Sequence, residues 1–240
     1  MNEGPKGGRS EPFDNLRGLI GGWDQYYLVP MVRGTGFEND MANYFKDVKP
    51  DANVTLLARG SIGAYGGEQM LDVADISQES VEAAGGSFEF GSWDMVKTRF
   101  ASGTGDVFIQ VATRGHPGIT ELATQNQLTF LQPSGDVLAK MTELYGWGEA
   151  TLPAGTFSGQ DKDVKLPGTT TTLFSSTNMS DDLAYTIVKT ICENTEALQN
   201  AHKALSDFDC EKNGVWREDV NGIPMHEGAL RYFRERGWVQ

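Results

Sequence analysis

Two short stretches carry residue types suited to holding a small anion. Gly60-Ser61-Ile62-Gly63 follows the aliphatic run Val54 to Leu57 and precedes a helical pattern with Met70, Leu71 and Val73. Strand, glycine-rich turn and helix in that order aim free backbone N–H groups, and the positive end of the helix dipole, outward. Gly60 and Gly63 allow close backbone approach, Ser61 adds a hydroxyl, and the N–H groups around Ile62 and Gly63 complete the donors. Tyr65, one turn on, suits either the rim of such a site or a place in the core or on the lobe surface. The same spacing also fits an ordinary strand–helix connection. It lacks the G-K-[ST] of a P-loop and the full G-x-G-x-x-G of a dinucleotide fold.

The second stretch is Thr113-Arg114-Gly115-His116-Pro117-Gly118, after the apolar run Asp106 to Ala112 and before another helix start. Arg114 can grip a carboxylate with two parallel N–H donors, or it can pair with a surface acid. His116 can donate to a ligand or shape the turn. Ligands of open α/β sheets gather at such carboxyl ends of strands.

The elements that must position these residues follow from patterning. Leu28 to Arg33 reads as a strand, and Pro30 places it at a sheet edge or at a crossing between lobes. Ser77 caps a short helix to Ala84, Trp93 to Phe100 forms another, and Asp106 to Ala112 suits a strand buried on both faces. Leu128 to Leu131 reads as a strand crossing back to a first lobe. Gly135 to Tyr145 is a helix with Val137, Leu138, Met141 and Leu144 inward. Leu152 to Pro167 is loop-like, and Thr169 to Ser175 has β propensity. Ser180 caps a helix from Asp181 to about Glu193, a second runs from Thr195 to Leu205, and the last lies between Pro224 and Gly237. His202 reads as a helix-surface residue, and His226 with Glu227 as a helix start.

Composition narrows the function. The 240 residues are 39% hydrophobic with a net charge of −13, a globular balance that argues against nucleic acid or an anionic membrane as partner. No apolar run reaches the ~18 residues of a membrane span. Met1 to Pro12 reads as a loose polar tail, not a signal peptide. His116, His202 and His226 lack metal-ligand spacing, so neither a metal nor a cofactor is expected. Cys192 and Cys210 flank a helical hairpin; two free thiols are expected ahead of a single bridge.

An ordered series in the second half carries a family resemblance. It runs through Leu152-Pro153-Ala154-Gly155-Thr156-Phe157, Gly159-Gln160-Asp161-Lys162-Asp163-Val164, Tyr185, Glu193-Asn194 and Ala201-His202. It ends in Ile223-Pro224-Met225-His226-Glu227-Gly228-Ala229. With it, residues 12–240 resemble the solute-binding subunits of TAXI-type TRAP transporters, a branch of the type II periplasmic binding proteins. Gly60-Ser61-Ile62-Gly63 is similar to that family's G-S-G-T turn, with Ile62 and Gly63 in place of Gly and Thr. Gly115-His116-Pro117 is similar to its G-x-P turn.

The resemblance implies an α/β fold of two lobes with a cleft, the first lobe lacking its N-terminal part. The expected division is a tail at 1–12, a crossing segment at 13–34, lobe II at 35–127 and the rest of lobe I at 128–240. It implies extracytoplasmic capture of a glutamate-like acid or dicarboxylate, with TRAP membrane subunits as partners and no catalysis. Gly60, Ser61, Ile62, Gly63, Tyr65, Arg114, His116 and Pro117 are the expected ligand residues. An incomplete lobe would expose strand edges and favour a homo-dimer. A fragment without binding activity, or an α/β enzyme using the Gly60 turn for phosphate, are the alternatives.

Overall fold

A computed structural model of the chain describes residues 14–240; the expected tail at 1–12 lies outside them. The chain divides into two compact units, Tyr27–Thr169 and the pair Met1–Tyr26 with Thr170–Gln240. The α/β class is as expected, but the boundaries are not those read from the sequence.

The first unit is built on a sheet of seven strands: β2 (Gln25–Arg33), β3 (Asn53–Leu57), β4 (Ser87–Gly91), β5 (Val107–Ala112), β6 (Leu128–Phe130), β7 (Gly148–Leu152) and β8 (Val164–Thr170). Their order is β4-β3-β5-β2-β8-β7, with β6 also on β2. β3 runs parallel to β4 and β5, whereas β2 is antiparallel to β5 and β6. Every residue of β5 is buried, as its mostly apolar run requires, Gln110 included. Phe108, Ala112, Val96, Phe100, Ile119 and Leu122 form the core on one face. On the other, the helix Ile62–Val73 lays Gly67 against Leu56 and Ile109.

This sheet explains where the predicted boundaries moved. β6 does not cross to another lobe; it pairs Met31 with Phe130 and Arg33 with Leu128. The stretch read as loop contains the start of β8, and β7 pairs with β8 from Gly148–Gly168 to Leu152–Val164. Residues 27–34 and 128–169 therefore belong with the sheet. Pro30 lies on a central strand, opposite Ile109, not at an edge. Its carbonyl accepts from Leu131 N–H at 2.9 Å, so its missing donor falls on the side where β6 pairing begins at Met31. Leu144 is half-exposed at 51%, although Val137, Leu138 and Met141 of its helix are inward.

The family-like segment 153–163 is a self-bonded loop. The Gln160 side chain, 3% exposed, accepts from Thr156 N–H at 3.1 Å and donates to the carbonyls of Leu152 and Lys162. Phe157 stacks on Phe130 at 5.6 Å. These residues fix the loop without a ligand.

The second unit holds a two-stranded antiparallel sheet, β1 (Leu16–Ile20) with β9 (Leu173–Ser176), and the helices Asp181–Glu193, Thr195–Ala201 and Glu227–Glu235. Leu19, Ile20, Val188, Phe208, Val215 and Phe233 are among its core. Ser180 caps the first of these helices by accepting from Leu183 N–H. Cys192 and Cys210 are joined in a disulfide, against the expectation of two free thiols. The connector between them brings their Cα atoms to 5.6 Å, which no local pattern could show. His202 caps the 3-10 turn Lys203–Leu205, and the buried His226 caps Glu227–Glu235 while its Nε2 meets the Met179 carbonyl at 3.1 Å.

Candidate functional site

Adjacent parallel strands β3 and β5 send their chains in opposite directions. β3 continues to β4 on one side, and β5 continues to β6 beyond β2 on the other. This is a topological switch point, where the strand ends leave a crevice for ligands. Val54 lies opposite Val107 and Thr55 opposite Phe108, which brings the turns after β3 and β5 to one edge of the sheet. The chain enters the unit at the same edge, since Tyr27 pairs with Ala112. Ser92, after β4, caps Trp93–Ser102 there as well.

The first predicted turn closes as expected. Ser61 caps Ile62–Val73, its Oγ accepting from Ala64 N–H at 3.2 Å. The first intrahelical bond runs from Tyr65 N–H to Ser61 O, so the N–H groups of Ile62 and Gly63 precede the ladder. Gly60 adopts a φ of 91°, a conformation only glycine takes at little cost. The Ile62 side chain is 57% exposed, and Tyr65 36%.

Gly63 is glycine for a different reason. A Cβ there would lie 1.6 Å from Gln110 Oε1. That oxygen accepts from the N–H of Val111 at 2.8 Å, so the Gln110 side chain takes the place of a strand partner beyond the paired part of β3 and β5. Sequence reading passed over Gln110, although a lone amide inside DVFIQVA was a usable signal.

The second turn places half-buried Arg114 beside Gly115. His116 caps the helix Pro117–Gln125, its Nδ1 accepting from Ile119 N–H at 3.4 Å. An accepting Nδ1 puts the proton of the neutral ring on Nε2. The ring stacks on Trp93 at 5.4 Å, and burial pushes its pKa below the ordinary 6.5. His116 thus serves the turn first. Pro117 occupies the first helical position, exposed.

Arg59, immediately before Gly60, also went unread. Its guanidinium lies 3.8 Å over the Phe90 ring and pairs with Glu68 at 2.6 Å. With Arg114 it makes two cations at one sheet edge of an acidic protein.

A larger cavity, about 760 Å³, lies away from these turns, between the loop around Phe37–Asp40 and the loop 159–164. No residue predicted from the sequence lines it, and its buried Gln160 is spent on its own loop. The switch-point edge carries the donors and cations, so it is the stronger candidate.

Several solved structures overlay on the chain. They include the protein AF1704 of Archaeoglobus fulgidus (TM-score 0.39, 14% identity, 94% of this chain and 75% of that one). XAC2383 of Xanthomonas citri, bound to ATP, gives 0.42 at 11% over 95% and 73%. The L-cystine solute receptor of Neisseria gonorrhoeae gives 0.35 at 12% over 88% and 62%. At these scores the overlays do not bear on the ligand of this chain. The sequence match is broader: residues 10–237 fit a single family description, and the chain belongs to the NMT1-like family.

Proposed function

We propose that the protein is a solute-binding protein of the TAXI-type TRAP class that captures a small organic acid, glutamate-like or dicarboxylic. The observation that carries this reading is the switch point between β3 and β5. There Arg114 and the Ser61-capped helix start stand at neighbouring strand ends. Gly60, Ser61, Ile62 and Gly63 supply backbone and hydroxyl donors, and Arg114 supplies the counter-charge. Tyr65, His116 and Pro117 shape the rim. Binding, not catalysis, fits the side chains: Ser61 Oγ and His116 Nδ1 are both engaged as caps, not as nucleophile and base.

The Cys192–Cys210 bridge supports an extracytoplasmic location, because such bonds persist in oxidising compartments. TRAP membrane subunits, and a second copy of the chain, are the protein partners this reading implies. Light scattering that gives a monomer at every concentration removes the second copy.

The test of the main reading is a thermal melt with glutamate, glutamine, 2-oxoglutarate, succinate and a sugar acid. A ligand at 100 times its Kd adds about 2.7 kcal/mol to the folded state, a shift of a few degrees. A selective upward shift that vanishes in Arg114→Ala is expected. A cooperative melt that no acid moves overturns the reading.

A further inference from the structure

We infer that Arg59 is the specificity-determining residue for ligands with two anionic groups, and that Glu68 fills the place of the second group until such a ligand arrives. The inference rests on the acid-binding reading of the same sheet edge. Arg59 stands at the end of β3 and Arg114 beyond the end of β5, the strand beside it. Phe90 on β4 and Glu68 on the helix Ile62–Val73 hold the Arg59 guanidinium between them. Stacking on Phe90 presets the plane of the guanidinium, so little order remains to be gained on binding. Its side chain is still 62% exposed, and that of Glu68 41%, so solvent and solutes reach the pair.

A carboxylate bonded to a guanidinium is the geometry a ligand carboxylate would adopt. An exposed pair of this kind is weak, so a ligand already anchored by one acid group at Arg114 displaces Glu68 at small cost. A ligand with a single acid group anchors at Arg114 and leaves the Arg59–Glu68 pair intact. Two guanidiniums therefore select for length and for a second charge.

The experiment is calorimetric titration of the full chain with succinate and 2-oxoglutarate against propionate and pyruvate, in the wild type, Arg59→Ala, Glu68→Gln and Arg114→Ala. Arg59→Ala is expected to weaken the dicarboxylates about tenfold and leave the monocarboxylates within about twofold. Glu68→Gln is expected to tighten dicarboxylates alone, and Arg114→Ala to weaken both classes. Equal losses for both classes in Arg59→Ala, or no change in Glu68→Gln, overturn the inference and leave acid binding standing. No heat with any acid in the wild type overturns both. A melt of each variant alone, unchanged from wild type, separates binding from folding.

Discussion

The two ends of the same parallel strands are built on opposite rules. At the end where β3 and β5 begin, the Asp106 carboxylate is buried and surrounded. It accepts from the backbone and side-chain N–H of Asn53, both at 2.9 Å, and faces Arg33 at 3.6 Å and Lys49 at 3.8 Å. Arg33 also donates to the carbonyls of Gly103 and Gly105. Burial, followed by the Asp106 charge, pushes the nearby Tyr44 hydroxyl well above its usual pKa. At the other end the Arg59–Glu68 pair is exposed, Arg114 is half-buried, and helix starts face outward. One end gathers its polar groups around a buried charge, and the other leaves its charged pair within reach of solvent.

The largest expected effect breaks the closed end. Asp106→Ala leaves Asn53 N–H without its acceptor and removes the buried acid that faces Arg33 and Lys49, and a cost of about 3 kcal/mol is expected in denaturant melts. Arg59→Ala at the open end, which removes only the exposed pair with Glu68 and its stacking, should cost about 1 kcal/mol or less. Similar losses from the two would erase the contrast.

A smaller effect sharpens the open end. Gly63→Ala forces a methyl onto Gln110 Oε1, at an expected cost of about 1–3 kcal/mol. Gln110→Ala in the same chain should recover part of that loss. A double-mutant cycle with no coupling would show that Gln110 does not define the crevice.

The smallest effect is set by pH. The folded pKa of His116 lies below 6.5, so between the two values the folded state binds fewer protons than the unfolded chain. Its contribution is complete above pH 6.5 and is lost as pH falls through the folded value. Protonation also removes the Nδ1 acceptor from Ile119 N–H. His116→Asn keeps a cap without the proton, and should flatten this part of the stability profile. An unchanged profile would place the acid sensitivity elsewhere.

The open end was far more legible in the sequence than the closed one. Ser77 and Ser180 cap the helices expected of them and His226 starts its own, because capping is settled within three or four residues; Ser61, read as a ligand donor, is a cap as well. The Gly60 and Gly115 turns follow their strands for the same local reason. Asp106 with Arg33 and Asn53, by contrast, joins residues more than 50 apart. The central position of Pro30 depends on where β6 ends, and the Cys192 bridge on the path of a connector. Gln110 was visible as an odd polar residue, but its use depends on β3 and β5 parting beyond Phe108. Pairing across the chain decides all of these, and residue patterns do not carry it.

The disulfide is reached from one side. Cys210 is 3% exposed, within the core that includes Phe208 and Val215, whereas Cys192 is half-buried on its helix. Exchange runs through a mixed disulfide, so an external thiol or disulfide has only to meet the Cys192 sulfur, and Cys210 closes the bond from within the core. Making and breaking the bridge therefore both go through Cys192.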